Sequence, residues 1–204
     1  MELTFDPDTH TYCIDGKKVP SVTQICDLLT MQKYGAGAAL IRQAARRGSA
    51  VHEYCELIDY DAPPDEIEPE LVGYIRAYLT FLRDYRPDWT HVEYPVYHSC
   101  LLYAGKCDRR GIIDGKITIV DLKTTSSMDR PAKISLACQL AGYNLAALNM
   151  GMPVAEQLMG VQLKRDGTYT VHMKDNIESR YKFDSEILFL DLLSITRLIG
   201  GYRA

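Results

Sequence analysis

The dipeptide Asp114-Gly115 most constrains what this chain can fold into. Both residues tolerate the positive φ that a two-residue hairpin turn demands, and β-patterned runs flank them. Tyr97 to Asp108 reads as a strand ending on Asp108, and Arg109 to Ile113 continues the pattern. Lys116 to Leu122 returns with Ile117 and Ile119 apolar. Folding these runs side by side lets Asp108 and Asp121 approach. Period-two geometry puts Asp121 and Lys123 on one face of their strand and Leu122 on the other.

Two carboxylates and an ammonium therefore converge at a sheet surface. Carboxylate oxygens suit a hard cation such as Mg2+ or Mn2+. A lysine beside such an ion can orient or deprotonate a water, or steady a phosphate. The bland alternative is a surface ion cluster, because Asp-x-Lys by itself is a common string.

A chain of 204 residues is long enough for one sizeable core. Its 47% apolar and 25% charged residues are those of an ordinary globular domain. The net charge of −4 excludes a wholesale basic nucleic-acid binder, so any such binding needs a local basic face. No apolar run reaches membrane-spanning length, and Met1-Glu2-Leu3-Thr4 does not open a signal peptide; a cytoplasmic protein without membrane contact is the expectation. The six cysteines form no Cys-x-x-Cys pair and read as reduced and partly buried.

Leu3 to Val19 reads as a hairpin, with Asp6-Pro7-Asp8 and Asp15-Gly16 as turns. Ser21 is a plausible N-cap for a short helix. Gly35 and Gly37 interrupt the chain before a helical pattern from about Ala38 to Ile58. Gly48, His52 and Glu56 share one face of it. A helical His is usually a surface or satisfied core residue; Glu56 either supports a site or lies on a solvated face. Gly48 would let the helix approach the sheet closely.

Asp59 to Glu70, with Pro63, Pro64 and Pro69, reads as an exposed acidic linker. A helix from about Glu70 to Tyr85 follows, with Leu71, Ile75, Tyr78, Leu79 and Leu82 at core spacing. His91 to His98 is the first core strand, and Pro95 marks it as an edge or a bulge. Pro131 to about Asn149 reads as a helix that aligns Gln139 with Tyr143 and packs small residues Ala137, Ala141 and Gly142 against the sheet. Asp166-Gly167 joins a last hairpin, Glu156 to Lys174, and a helix over about Asp184 to Ile199 closes the chain.

Taken in order, Gly48-Ser49-x-x-His52, Gly105-x-x-Asp108, Asp121-x-Lys123-Thr124 and Gln139-x-x-x-Tyr143 resemble the PD-(D/E)xK nucleases, in their RecB-like, phage-type exonuclease branch. The opening Tyr12 … Asp15-Gly16 … Val19-Pro20-Ser21-Val22-Thr23 also looks like that branch, and the resemblance covers roughly residues 3–169. It implies an α/β (α+β) fold: a central mixed β-sheet flanked by helices, a restriction-endonuclease-like core with an N-terminal β-hairpin. One domain over 1–204 would divide into a hairpin and short-helix appendage (1–34), a catalytic core (35–175) and a C-terminal helix (176–204).

The resemblance implies a metal-dependent DNA exonuclease of phage or mobile-element recombination or repair. One or two Mg2+ or Mn2+ ions would be held by His52, Asp108, Asp121 and the Leu122 carbonyl. Lys123 would orient the attacking water or act as its base. Glu93 matches a frequent acid on the entering strand, supporting catalysis or lying at the surface. Gln139 and Tyr143 would help place DNA or the lysine, beside Thr124. Basic residues at the mouth would bind DNA: Arg42, Arg46, Arg47, Lys106, Arg109, Arg110, Arg130 and Lys133. No cysteine spacing matches the iron–sulfur cluster of some relatives, so none is expected. Two other readings stay open, a structure- or site-specific endonuclease on the same core and an inactive DNA-binding or scaffold subunit. A strand-annealing recombination partner and an oligomer are both conceivable.

Overall fold

The computed structural model describes residues 2–7, 9–30, 38–63 and 65–200. Asp8, Gly35, Gly37 and Pro64, and the boundary expected at 34/35, lie outside them.

Three short strands open the chain, β1 (Leu3–Asp6), β2 (Thr11–Ile14) and β3 (Lys17–Val19), all antiparallel. The expected hairpin is thus a three-stranded meander. Its Asp15-Gly16 turn has φ of 48° and 74°, the two positive values that a right-twisted two-residue turn needs. Helix α1 (Val22–Asp27) begins on a capping box: the Ser21 hydroxyl accepts from Gln24 N–H, and the Gln24 side chain accepts from Ser21 N–H.

The main sheet has the order β4-β5-β6-β7-β8. Its strands are β4 (Asp88–His98), β5 (Tyr103–Ile113), β6 (Lys116–Thr124), β7 (Gln157–Leu163) and β8 (Tyr169–Met173). Only β6 and β7 pair in parallel; the helix α4 (Arg130–Asn149) makes the crossover between them. Strand β4 is an edge, which is why Pro95 is tolerated there. Asp114 and Gly115 (φ 50° and 75°) form the β5–β6 turn read from sequence.

Helices cover both faces. Long α2 (Ala38–Asp59) and α3 (Val72–Tyr85) pack on one side, where Val51, Cys55, Tyr78 and Phe81 meet Val120, Leu122, Met159 and Val161. On the other side, α1, α4 and α6 (Ser185–Gly200) bury Ile25, Leu136, Leu140, Phe189 and Leu193 against Val96, Cys107, Ile119 and Leu158. The architecture is therefore a mixed sheet between helical layers, with a small antiparallel sheet at the N-terminus.

Several local expectations need correction. The second strand does not end on Asp108; it runs from Tyr103 through to Ile113. Asp59 belongs to α2, and its carboxylate is buried rather than part of a solvated linker. Leu79 is half exposed, since the buried stripe of α3 runs through Tyr74, Ile75, Tyr78 and Phe81 instead. Gly142 serves helix–helix packing, not the sheet: a Cβ there would stand 2.6 Å from the Phe189 ring of α6. An additional helix, α5 (Lys174–Tyr181), follows β8.

Candidate active site

At Asp108 the pleat of β5 is broken. Cys107 and Arg109 are two apart and should share a face, yet Cys107 packs with α4 while Arg109 reaches Asp59 of α2 and Tyr78 of α3. The Cys107 thiol donates to the Arg109 carbonyl at this break. Opposite, between the pairs Tyr94↔Cys107 and Val92↔Arg109, stands Glu93 with a left-handed backbone (φ 47°). Such a conformation in a non-glycine residue costs on the order of 1–3 kcal/mol and persists where packing demands it. Its result is that Glu93 and Asp108 both turn toward His52 on α2.

The His52 Nδ1 lies 3.2 Å from Glu93 Oε1 and 3.6 Å from Asp108 Oδ1, and Nε2 lies 3.2 Å from the Leu122 carbonyl. One donor atom from each of His52, Glu93 and Asp108 falls within 4.8 Å of the others, an arrangement that could hold a divalent metal ion. Asp108 is fixed by accepting from Leu122 N–H at 2.7 Å. Asp121 is turned to Lys123, with 2.7 Å between its Oδ2 and Nζ. The lysine also donates to Gln139 Oε1 of α4 at 2.6 Å. His52, Glu93, Asp108, Asp121, Leu122 and Lys123 floor a cleft of about 590 Å3, which Thr124 and Tyr143 also line.

Charge in the cleft is unbalanced. Burial pushes the Asp108 carboxyl up to about 6; the Asp121 and Glu93 charges push the same way, and His52 opposes them. Glu93 goes the other way. Burial alone would raise it, but the hydrogen bond and charge of His52, with Lys106 at 2.7 Å, bring it down to about 2. Burial would lower His52, and the Asp108 and Glu93 charges outweigh it, so the imidazole is raised. Both ring nitrogens face acceptors, which suits the imidazolium. Lys123 is likewise raised, since Asp121 and Asp108 overcome its desolvation. Burial and the same two acids keep the Tyr143 phenol protonated well above its usual range.

Not every residue expected at a DNA surface is there. Arg109 is fully buried: Nε donates to Asp59 at 2.5 Å and Nη1 to Glu93 at 2.9 Å. Arg110 is buried and donates to the Pro153 carbonyl. Neither can meet a phosphate at the surface. Gln139 and Tyr143 are also buried, and the Gln139 oxygen meets the Lys123 ammonium. Arg42 and Arg46 are exposed, while Arg47 is half-buried over the Tyr74 ring. Thr124 Oγ1 would stand 3.4 Å from a Cβ at position 48, an ordinary contact, so the helix–sheet approach there does not demand Gly48. At Gly105, by contrast, a Cβ would stand 3.1 Å from Tyr143 and 3.3 Å from Val22, so those side chains would have to give by a few tenths of an ångström.

Among solved structures the chain is similar to an alkaline exonuclease (LHK-Exo) from Laribacter hongkongensis, at 12% identity and a TM-score of 0.38, over 86% of this chain and 87% of that one. The same enzyme in complex with dAMP aligns at 9% identity and 0.38, over 90% and 93%. SSO0001 aligns at 16% identity and 0.33, over 71% of each chain. No family model and no curated protein matches the sequence. No helix among the described residues is long and apolar enough to cross a membrane.

Sequence reasoning overlooked Asp59, Tyr78 and Trp89, which together hold Arg109: Tyr78 Oη donates to Asp59 at 2.7 Å and Trp89 Nε1 at 3.1 Å. It also placed Glu93 beside the reaction without counting it among the metal-holding groups. The unusual acid opposite Asp108 on the neighbouring strand was the one available signal.

Proposed function

We propose that the cleft is the active site of a metal-dependent deoxyribonuclease of the PD-(D/E)xK type, acting as an exonuclease. The observation that carries this reading is the meeting of His52, Glu93 and Asp108 within 4.8 Å, beside a lysine held by Asp121 and Gln139. An imidazole and two carboxylates are a donor set that fits Mg2+ or Mn2+, with Asp121 and the Leu122 carbonyl as further oxygens. An ion held there would supply Lewis-acid activation of water and of the scissile phosphate.

The chain's own residues do the rest. The Lys123 ammonium, held by Asp121 and Gln139, would donate to the phosphate oxygens, orient the water or, once deprotonated, act as its base. Gln139 fixes that ammonium from α4. Tyr143 stays neutral and offers a donor to the cleft. Exposed Arg42 and Arg46, on the helix that carries His52, would steer DNA, giving salt-dependent binding.

The test is linear and circular DNA incubated with Mn2+ or Mg2+. The wild type should degrade linear DNA and leave closed circles intact. Replacing Lys123 with Ala should slow cleavage about 10²–10³-fold. Cut circles would make the protein an endonuclease on the same core. DNA binding without any cleavage would favour the silent scaffold.

A further inference from the structure

We propose that Phe5 and His10, backed by the buried Tyr12 ring, form a stacking platform for an unpaired DNA base at the mouth of the cleft. The inference deepens the nuclease reading and rests on it.

Phe5 is a large apolar side chain left 42% exposed on β1. Its ring lies 4.5 Å from Tyr12, tilted by 32°, and 5.2 Å from His10, edge-on at 89°. The face that it shares with Tyr12 packs on β5 through Tyr12, Ile14, Val19 and Ala104. Phe5 stands outside that buried cluster. A cross-strand aromatic pair could simply stabilise the meander, since Phe5 is paired opposite Tyr12. That account leaves out His10, which takes a left-handed backbone (φ 49°) at the turn and lines the cleft.

His10 and Tyr12 line the same cleft as His52, Glu93 and Asp108. An exposed ring is therefore continuous with the place where a phosphate would be cut. Every base offers a π-face, so stacking on such rings holds a strand without reading its sequence. Glu53, Glu56, Glu93, Asp108 and Asp121 line the cleft, and Arg109 and Arg110 are buried out of a strand's reach. Stacking supplies attraction that the charges near the floor do not. A paired base inside a duplex hides its faces, so the occupant is a single strand or the frayed end of a duplex.

The experiment uses Lys123→Ala protein with Mn2+, so that the strand survives, and oligonucleotides ending in 2-aminopurine. Binding should quench the 2-aminopurine. Adding Phe5→Leu should abolish the quench and weaken binding about tenfold, the size of one lost base stack. A single strand and a blunt duplex carrying the same probe separate the two sources: equal quenching means that the duplex end frays on the platform. Melting curves check that Phe5→Leu folds; if it does not, His10→Ala decides by the same readout. No quench in the parent, or the same quench in both variants, overturns the platform. So does a parent dimer that Phe5→Leu splits while the quench persists, since the patch then receives a second copy. Cleavage by the wild type tests the nuclease reading separately, so either idea can fail alone.

Discussion

Asp108 and Arg109 are adjacent in the chain and both buried, but their charges are met in opposite ways. Around Arg109 the compensation is permanent. Asp59 from α2 and Glu93 from β4 grip the guanidinium, and Tyr78 and Trp89 donate to the other Asp59 oxygen. Around Asp108 it is incomplete, with Asp121 and Glu93 opposing the same charge that His52 relieves. One region is a structural ion cluster that ties α2, α3, β4 and β5 together, with Arg109 Nη2 left as a buried donor without a partner among the described residues. The other is an excess of negative charge waiting for a cation. A buried charge is thus a poor guide to function until its partners are counted.

The largest expected effect comes from the Arg109 side. Replacing Arg109 with Met leaves the buried Asp59 carboxylate without a cation and takes from Glu93 one of its partners, and should destabilise the fold by about 3–5 kcal/mol. Chemical denaturation should give that loss with or without Mn2+. A loss seen only in the metal-free protein would erase the distinction between the two regions.

Asp108→Asn is expected to do the reverse. It removes the uncompensated charge while keeping an oxygen for Leu122 N–H, so the metal-free protein should gain on the order of 2 kcal/mol at pH 7. Stabilisation by Mn2+ should vanish in the same variant, as thermal melts would record. A destabilised metal-free variant would mean that Asp108 is as well compensated as Arg109.

The pH dependence sharpens the contrast further. Asp108 is raised from 3.8 to about 6, so its contribution to stability is complete below 3.8 and lost as pH rises through about 6. His52 is raised from 6.5, and its contribution is lost at higher pH still. Glu93, lowered from 4.5 to about 2, contributes above 4.5 and does not change from pH 5 to 8. The melting temperature in EDTA should therefore fall between pH 5 and 8, and Mn2+ should restore most at the alkaline end. A metal-free curve that is flat or rises would contradict this.

The smallest effect is a proton count. An imidazolium between Glu93 and the Leu122 carbonyl must lose a proton to ligate, so Mn2+ binding at pH 7 should release up to about one proton. Calorimetry in buffers of different ionisation enthalpy measures it. Uptake, or no buffer dependence, would mean that His52 is already neutral.

Much of the frame was legible in the chain. Asp114-Gly115, Asp15-Gly16 and the Ser21–Gln24 box act over a few residues, so their chemistry specifies turns and caps locally. The helical face carrying His52 and the pairing that brings Asp108 near β6 follow from periods of 3.6 and 2. The placement of Lys123 by Gln139 was half legible, through the spacing of Gln139 and Tyr143. Arg109 was misread because a basic residue beside a site acid looks like a phosphate contact until its own buried acids are seen, and Asp59 because an acidic, proline-bearing stretch looks solvated.

By itself, then, the sequence determined which elements form, where they turn, and that a histidine, a lysine and several acids lie near one sheet. Only the tertiary structure decided which of them meet. The left-handed backbone at Glu93 and the broken pleat at Asp108 reverse the facing of side chains that a strict two-residue repeat would assign. Such a reversal pairs each side chain with partners from distant helices, Arg109 with Asp59 and Asp108 with His52, which no window of neighbouring residues contains.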